Sequence, residues 1–197
     1  MVGTLPPVTG VPLPRRPLDP GDPSDQVRRW YENELGWATV PGNPPGLPLG
    51  LRFDVLDVPA EAGRAALRHL APASPVAVRG GRLLLLVAAG SAEELPGLLA
   101  WLEWGALALD LTASGEGGVM DAPDPRPALG RPGTPQGAAV WLRPPEPGCE
   151  VETSLPTLSA LGGGGGAPDL VRLVDTVATQ CHRLRLRRVC AQPLAFS

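Results

Sequence analysis

Carboxylates carried on neighbouring strands can hold a divalent ion, and Asp57 and Asp110 each lie in an apolar stretch that reads as a strand. Both can equally be solvated or Arg-paired carboxylates at strand ends, and that second reading is preferred. Asp54 cannot join Asp57 in one ligand set. It stands three residues away, so an extended strand points it to the opposite face. Gly80-Gly81-Arg82, with Arg79 before it, offers backbone amides and two guanidiniums to a phosphate. The preferred reading of the glycine pair is a two-residue hairpin turn that needs positive φ. Arg183, Arg185, Arg187 and Arg188 crowd the end of a helical stretch. They suit nucleic acid or an acidic partner, or simply complement the helix C-terminal carbonyls.

Other residue sets carry less. Cys149, Cys181 and Cys190 fit neither a disulfide framework nor a zinc signature, and Cys181 falls on an apolar stripe, as a buried thiol does. His69 is expected at a helix end, where an imidazolium complements the dipole. Trp30, Trp37, Trp101, Trp104 and Trp141 are dispersed through the elements and read as core packing rather than as base-stacking platforms. No Walker loop, dinucleotide fingerprint or supported Ser-His-Asp set is present.

The elements that must position these residues follow from periodicity and punctuation. Helical spacing begins at Ser24 or Asp25, with Val27, Trp30, Tyr31 and Leu35 on one face and Gly36 closing it. Residues 37–41 read as a short strand and 42–50 as a loop. Residues 51–58 alternate strongly, placing Phe53, Val55 and Asp57 on one face and Asp54, Leu56 and Val58 on the other. Pro59 opens a helix over 60–70. Strands at 75–79 and 82–88 flank Gly80-Gly81. Ser91 and Glu94 form a capping box for a helix that runs to about Trp104. Strands are expected at 106–111, 119–122 and 138–142. Residues 168–188 carry Leu170, Leu173, Val174, Val177, Cys181 and Leu184 on one stripe of a helix. This order implies an α+β fold, a mixed or antiparallel sheet with packed helices. The organisation expected is a disordered Pro-rich tail over 1–23, a domain over 24–146, a Pro/Gly-rich linker over 147–167 that includes the glycine run 162–166, and the helix over 168–190.

Composition narrows the function. The chain has 17 Arg, no Lys and no Ile, with 25 Gly and 26 Pro, a bias that fits a GC-rich genome as well as disorder. Its net charge of −3 argues against a dedicated nucleic-acid coat while leaving room for a local basic face. The start has no signal-like apolar core and no run reaches the length of a membrane span, so a cytoplasmic protein is expected.

Six motifs follow in order over about residues 25–143: Leu35-Gly36-Trp37-Ala38-Thr39-Val40-Pro41, Val55-Leu56-Asp57-Val58-Pro59-Ala60-Glu61-Ala62-Gly63, Gly80-Gly81-Arg82-Leu83, Leu109-Asp110-Leu111, Gly115-Glu116-Gly117-Gly118 and Ala122-Pro123. In this order they resemble the prim-pol domain of bifunctional DNA primase/polymerases, and short actinobacterial-type members above all. The resemblance implies an RRM-like core with an added C-terminal helix. It implies carboxylates that hold Mg or Mn for nucleotidyl transfer, and a hairpin histidine that binds nucleotide phosphates. Asp57 and Asp110 match the first and third family aspartates. Pro59 stands where the second belongs, and Leu83 where the histidine belongs. The expectation is therefore a catalytically degenerate binding or scaffold module linked to DNA replication or regulation, with no cofactor. Its partner would be a nucleotide or nucleic acid bound weakly, or a protein met through the Pro-rich tail or the C-terminal helix, without a membrane. The alternative is an active primase/polymerase with a rearranged site, in which Asp57 and Asp110 hold Mg or Mn with help from Glu116 or Asp121.

Overall fold

The strongest alternation in the sequence builds an interior strand of the main sheet. In the computed structural model, which describes residues 22–125, 137–158 and 168–190, that strand is Phe53–Pro59. In chain order the described elements are α1 (Pro23–Arg29), β1 (Gly46–Pro48), β2 (Phe53–Pro59), α2 (Ala60–Ala66), β3 (Val76–Arg79), β4 (Arg82–Ala88), α3 (Ser91–Trp101), β5 (Thr112–Ser114), β6 (Val119–Asp121), β7 (Val140–Arg143) and α4 (Leu170–Cys190). The fold is α+β. Five strands form one sheet in the order β5-β2-β4-β3-β7, and every pair of neighbours is antiparallel. β1 and β6 make a separate antiparallel ribbon.

Because side chains alternate along a strand, the sheet has two apolar faces. Leu56 and Val58 of β2, Val76 of β3, and Leu83, Leu85 and Val87 of β4 pack under α2, α3 and α4. Phe53, Val55, Ala77, Leu84 and Leu86 pack on the other face under Val27, Tyr31, Trp37, the β1–β6 ribbon and Val151 with Leu155. Covering both faces explains why β4 reads as an almost unbroken run of leucines. On the second face the Tyr31 hydroxyl donates to the Pro123 carbonyl (2.7 Å) and accepts from the Trp141 indole (2.8 Å). Burial pushes its pKa well above the usual range, so this buried hydroxyl stays neutral.

The helices sit where local chemistry lets them. Pro59 ends β2 and caps α2 with extended backbone, and it has no N–H to orphan there. Gly63 lets α2 lie against β4: a Cβ at this position would stand 2.6 Å from Leu83 Cδ1. α4 keeps Leu170, Leu173, Val174, Val177 and Cys181 on its buried stripe, as its periodicity predicts. Helices of this kind owe most of their stability to such packing.

Several boundaries differ from the expectations. Residues 37–41 form no strand. Val40 makes only an isolated bridge to Gly46, and the ribbon strand lies inside the expected loop, at Gly46–Pro48. Residues 106–111 are not a strand either: the partner of β2 begins at Thr112. The first helix continues as a π-turn, Trp30–Glu34, before Gly36 closes it at φ 65°. The capping box does not form. Gly90 is the cap residue, at φ 90°, Ser91 is buried, and the Ala92 amide donates to Asp54 Oδ2 instead (2.9 Å). Most of residues 147–158 is no free linker, since Val151–Ser154 forms a 3-10 turn and Val151 and Leu155 enter the core. Pro23, placed in the expected tail, is the first residue of α1. The rest of that tail up to residue 21, and the glycine run 162–166, lie outside the described residues.

Candidate functional site

Asp57, Arg79 and Arg82 meet at one end of the sheet because register and parity agree. All three lie on strand positions of the face that carries Val55, Ala77 and Leu84. Arg79 and Arg82 are a cross-strand pair flanking the Gly80-Gly81 turn. Asp110 precedes β5, whose Thr112 pairs with Asp57, and so arrives at the same end.

One guanidinium joins the two acids. Arg82 Nε donates to Asp57 Oδ1, Nη2 to the Asp57 carbonyl (3.0 Å), and Nη1 to Asp110 Oδ1 (2.8 Å). Arg79 Nη2 donates to Asp57 Oδ2 (3.1 Å), and its Nη1 lies 4.0 Å from Asp121. Burial works against the Arg82 charge. The hydrogen bonds and charges of Asp57 and Asp110 outweigh it and hold the guanidinium above its ordinary pKa.

The arginines of α4 reach the same end of the molecule, and three of the four are already engaged. Arg185 Nη1 donates to the Ala108 carbonyl (3.1 Å), Arg187 pairs with Glu61 of α2 (2.7 Å), and Arg188 lies 3.8 Å from Asp110. Arg183 is exposed on the next turn back. Cys181, buried below, donates Sγ–H to the Asp110 carbonyl (3.5 Å); burial pushes this thiol up to about 11, which keeps it protonated and inert. Cys149 and Cys190 are exposed free thiols.

Gly80 and Gly81 take φ of 53° and 82°, with no atom near either position that a Cβ would strike. The turn therefore needs glycine for its dihedrals, and the Gly81 carbonyl accepts the Ala60 amide at the start of α2 (3.0 Å). Leu83 is 2% exposed and belongs to the helix-side core, next to Val58 and Gly63. Its side chain leaves β4 on the face opposite to Arg82, so residues 57 and 83 do not converge.

These residues do not fit a pair of divalent ions. Among the described residues no three His, Cys, Asp or Glu side chains group to hold a metal. The two aspartates that do approach one another are already bound by a guanidinium whose positive charge stands between them. Asp121 lies beside Arg79, and Glu116 sits by Gly50 at the far end of β2. Four guanidiniums (Arg79, Arg82, Arg187, Arg188) pair with four carboxylates (Asp57, Glu61, Asp110, Asp121), while Arg185 donates to a carbonyl and Arg183 is exposed, so most of the charge at this end is tied up and a small positive surplus stays on α4. What it can do is fasten: it ties β2, β3, β4, the segment before β5, α2 and α4 together.

Three features escaped the sequence reading. Glu61 is a partner of the C-terminal helix, which only its tertiary contact reveals. His69 follows α2 in a 3-10 turn, Leu67–His69, where burial and the charges of Arg68 and Arg172 lower its pKa. It is a neutral acceptor of the Arg68 Nε–H (3.1 Å), not a dipole-bound imidazolium. Trp101, expected in the core, is 70% exposed, whereas Trp37 is buried. Among the described residues no helix is long and apolar enough to cross a membrane. No family model, no curated protein and no solved structure matches the chain.

Proposed function

We propose that the protein is a non-catalytic binding or scaffold module, a degenerate relative of the prim-pol domain serving DNA replication or its regulation. The observation that carries this reading is the Arg82 bridge: the guanidinium fills the place between Asp57 and Asp110 where a cation would have to sit. Leu83 in the helix-side core adds to it, because a phosphate ligand at that position would point away from the aspartates. The surviving carboxylates then serve stability and hold α4 in place, and binding falls to surfaces elsewhere. Primer extension with Mn²⁺ and deoxy- or ribonucleotides tests the reading. No product is expected. Metal-dependent product that disappears in Asp57→Ala overturns it.

A second reading keeps the chemistry. One side chain brings Asp57 and Asp110 within reach of each other, so an Arg82 that swung aside would leave two carboxylates facing one space. Mg or Mn would then be held by those two, and transfer would need the nucleotide itself to complete the ligand set. Calorimetry with Mn²⁺ and a nucleotide distinguishes the readings. Nucleotide-linked metal binding supports the second, and its absence supports the first.

A further inference from the structure

The last two turns of α4 leave apolar side chains in solvent. Leu186 is 50% and Val189 62% exposed. With His182 they stand at i, i+4 and i+7, along one flank of the helix beside the buried stripe. The ring of Trp104 packs on His182 at that flank (centroids 5.9 Å apart), and its indole N–H donates to Asp175 (3.0 Å). Leu107, in the segment that Arg185 grips at Ala108, is also exposed. The surface is thus an apolar strip of Trp104, Leu107, Leu186 and Val189.

Its charge is predominantly positive, with Glu61, Asp110 and Asp175 as the acids nearby. α4 contains no acidic residue after Asp175, and Arg183, Arg185, Arg187 and Arg188 border the strip or the turn beside it. Arg183 is exposed without an ion pair among the described residues. Arg187 and Arg188, each tied through a single nitrogen, keep donors free. An apolar strip with guanidiniums on its margins complements an amphipathic helix whose apolar face is flanked by carboxylates.

We infer that this end of α4 docks an acidic amphipathic helix of another protein, an inference that rests on the binding-module reading above and names its partner class. Other occupants fit less well. Phosphates gain nothing from the exposed Leu186 and Val189, which the apolar face of a helix would cover. A second copy would set this strip against its own positive margins. An anionic membrane would meet only a short apolar edge.

The test titrates the full chain with a synthetic peptide of about 20 residues, Leu at i, i+3, i+4 and i+7 and Glu on both flanks. A scrambled peptide of the same composition, a single-stranded oligonucleotide and phosphatidylserine vesicles run in parallel. The amphipathic peptide should bind about tenfold more tightly than the scrambled one. The preference should vanish in Leu186→Ser/Val189→Ser and weaken in Arg183→Glu, with circular dichroism and melting unchanged because all three sites are exposed. Equal binding of the two peptides, stronger binding of the oligonucleotide or the vesicles, or a preference unmoved by both variants overturns the inference. Primer extension is scored separately, so a chain that docks the peptide and also extends primers sinks the non-catalytic reading alone.

Discussion

Arg82 donates to Asp110 across 2.8 Å while gripping Asp57 on the adjacent strand, so one side chain joins two acids that are 53 residues apart in the sequence. The pairing is local in space because the Gly80-Gly81 turn starts β4 opposite the end of β2. Removing the cation would leave a mostly buried carboxylate at Asp57 with Arg79 as its remaining partner.

Arg82→Met should therefore lower stability by about 1–2 kcal/mol, the range for a charged hydrogen bond discounted for partial exposure. The urea midpoint reads this directly. Adding Asp57→Asn in the same chain should recover part of the loss, because an uncompensated carboxylate is then gone. If the double variant is simply the sum of the two singles, the residues are not coupled.

Leu83→His introduces the side chain that the prim-pol pattern would place on the hairpin, yet the histidine would face Val58 and Gly63 beneath α2. The expected result is a loss of about 2–4 kcal/mol, from lost packing and a buried polar ring, with no gain in nucleotide affinity. Thermal melting and a nucleotide titration check the two halves. Tighter nucleotide binding would show that the face assignment of position 83 does not govern the chemistry.

Local patterning carried the central elements into view. The alternation over Phe53–Pro59, the Gly-Gly hairpin and the stripe of α4 all depend on nearest neighbours, and each lies within a few residues of its expected place. The opposition of Asp54 and Asp57 was legible for the same reason, since it follows from the strand period alone. What could not be read were partnerships between distant segments. Asp54 displaces the Ser91 capping box because β2 passes beneath the start of α3, a fact of packing. Residues 106–111 look like a strand by composition, but β2 recruits Thr112–Ser114 instead, and of the apolar residues before it only Leu109 and Leu111 pack against the helix-side core. The site behaved likewise: Asp57, Arg79, Arg82 and Asp110 do gather, and it is the fold that sets the arginine between the acids.

His69 gives a pH dependence whose sign follows from its environment. Burial, Arg68 and Arg172 lower its pKa, and Asp169 and Asp175 only partly oppose them. The fold thus favours the neutral ring, which accepts from Arg68 and lies 2.9 Å from the Thr176 hydroxyl. That contribution is fully present above the ordinary value of about 6.5 and is lost as pH falls through it toward the folded pKa. Unfolding free energies measured from about pH 8 to about pH 5 should decline more steeply in the wild type than in His69→Gln. Parallel curves would exclude His69 as the source.

Asp54 has the opposite disposition. Burial raises its pKa, the Ala92 amide only partly offsets that, and Glu93 adds repulsion. Its Oδ1 has no hydrogen-bond partner among the described residues. A carboxyl raised in the fold contributes most below its ordinary value of about 3.9, and that contribution fades as pH climbs through the folded pKa. Asp54→Asn keeps an oxygen for the Ala92 amide without a charge to bury, so it should be more stable than the wild type at neutral pH, the gap closing in acid. Asp54→Ala, which leaves the first turn of α3 without its acceptor, should fall about 1 kcal/mol below Asp54→Asn. Urea titrations of the three chains at neutral and acidic pH decide the matter: an Asn variant weaker than wild type at neutral pH would mean that the ionised carboxylate earns its place at the helix start.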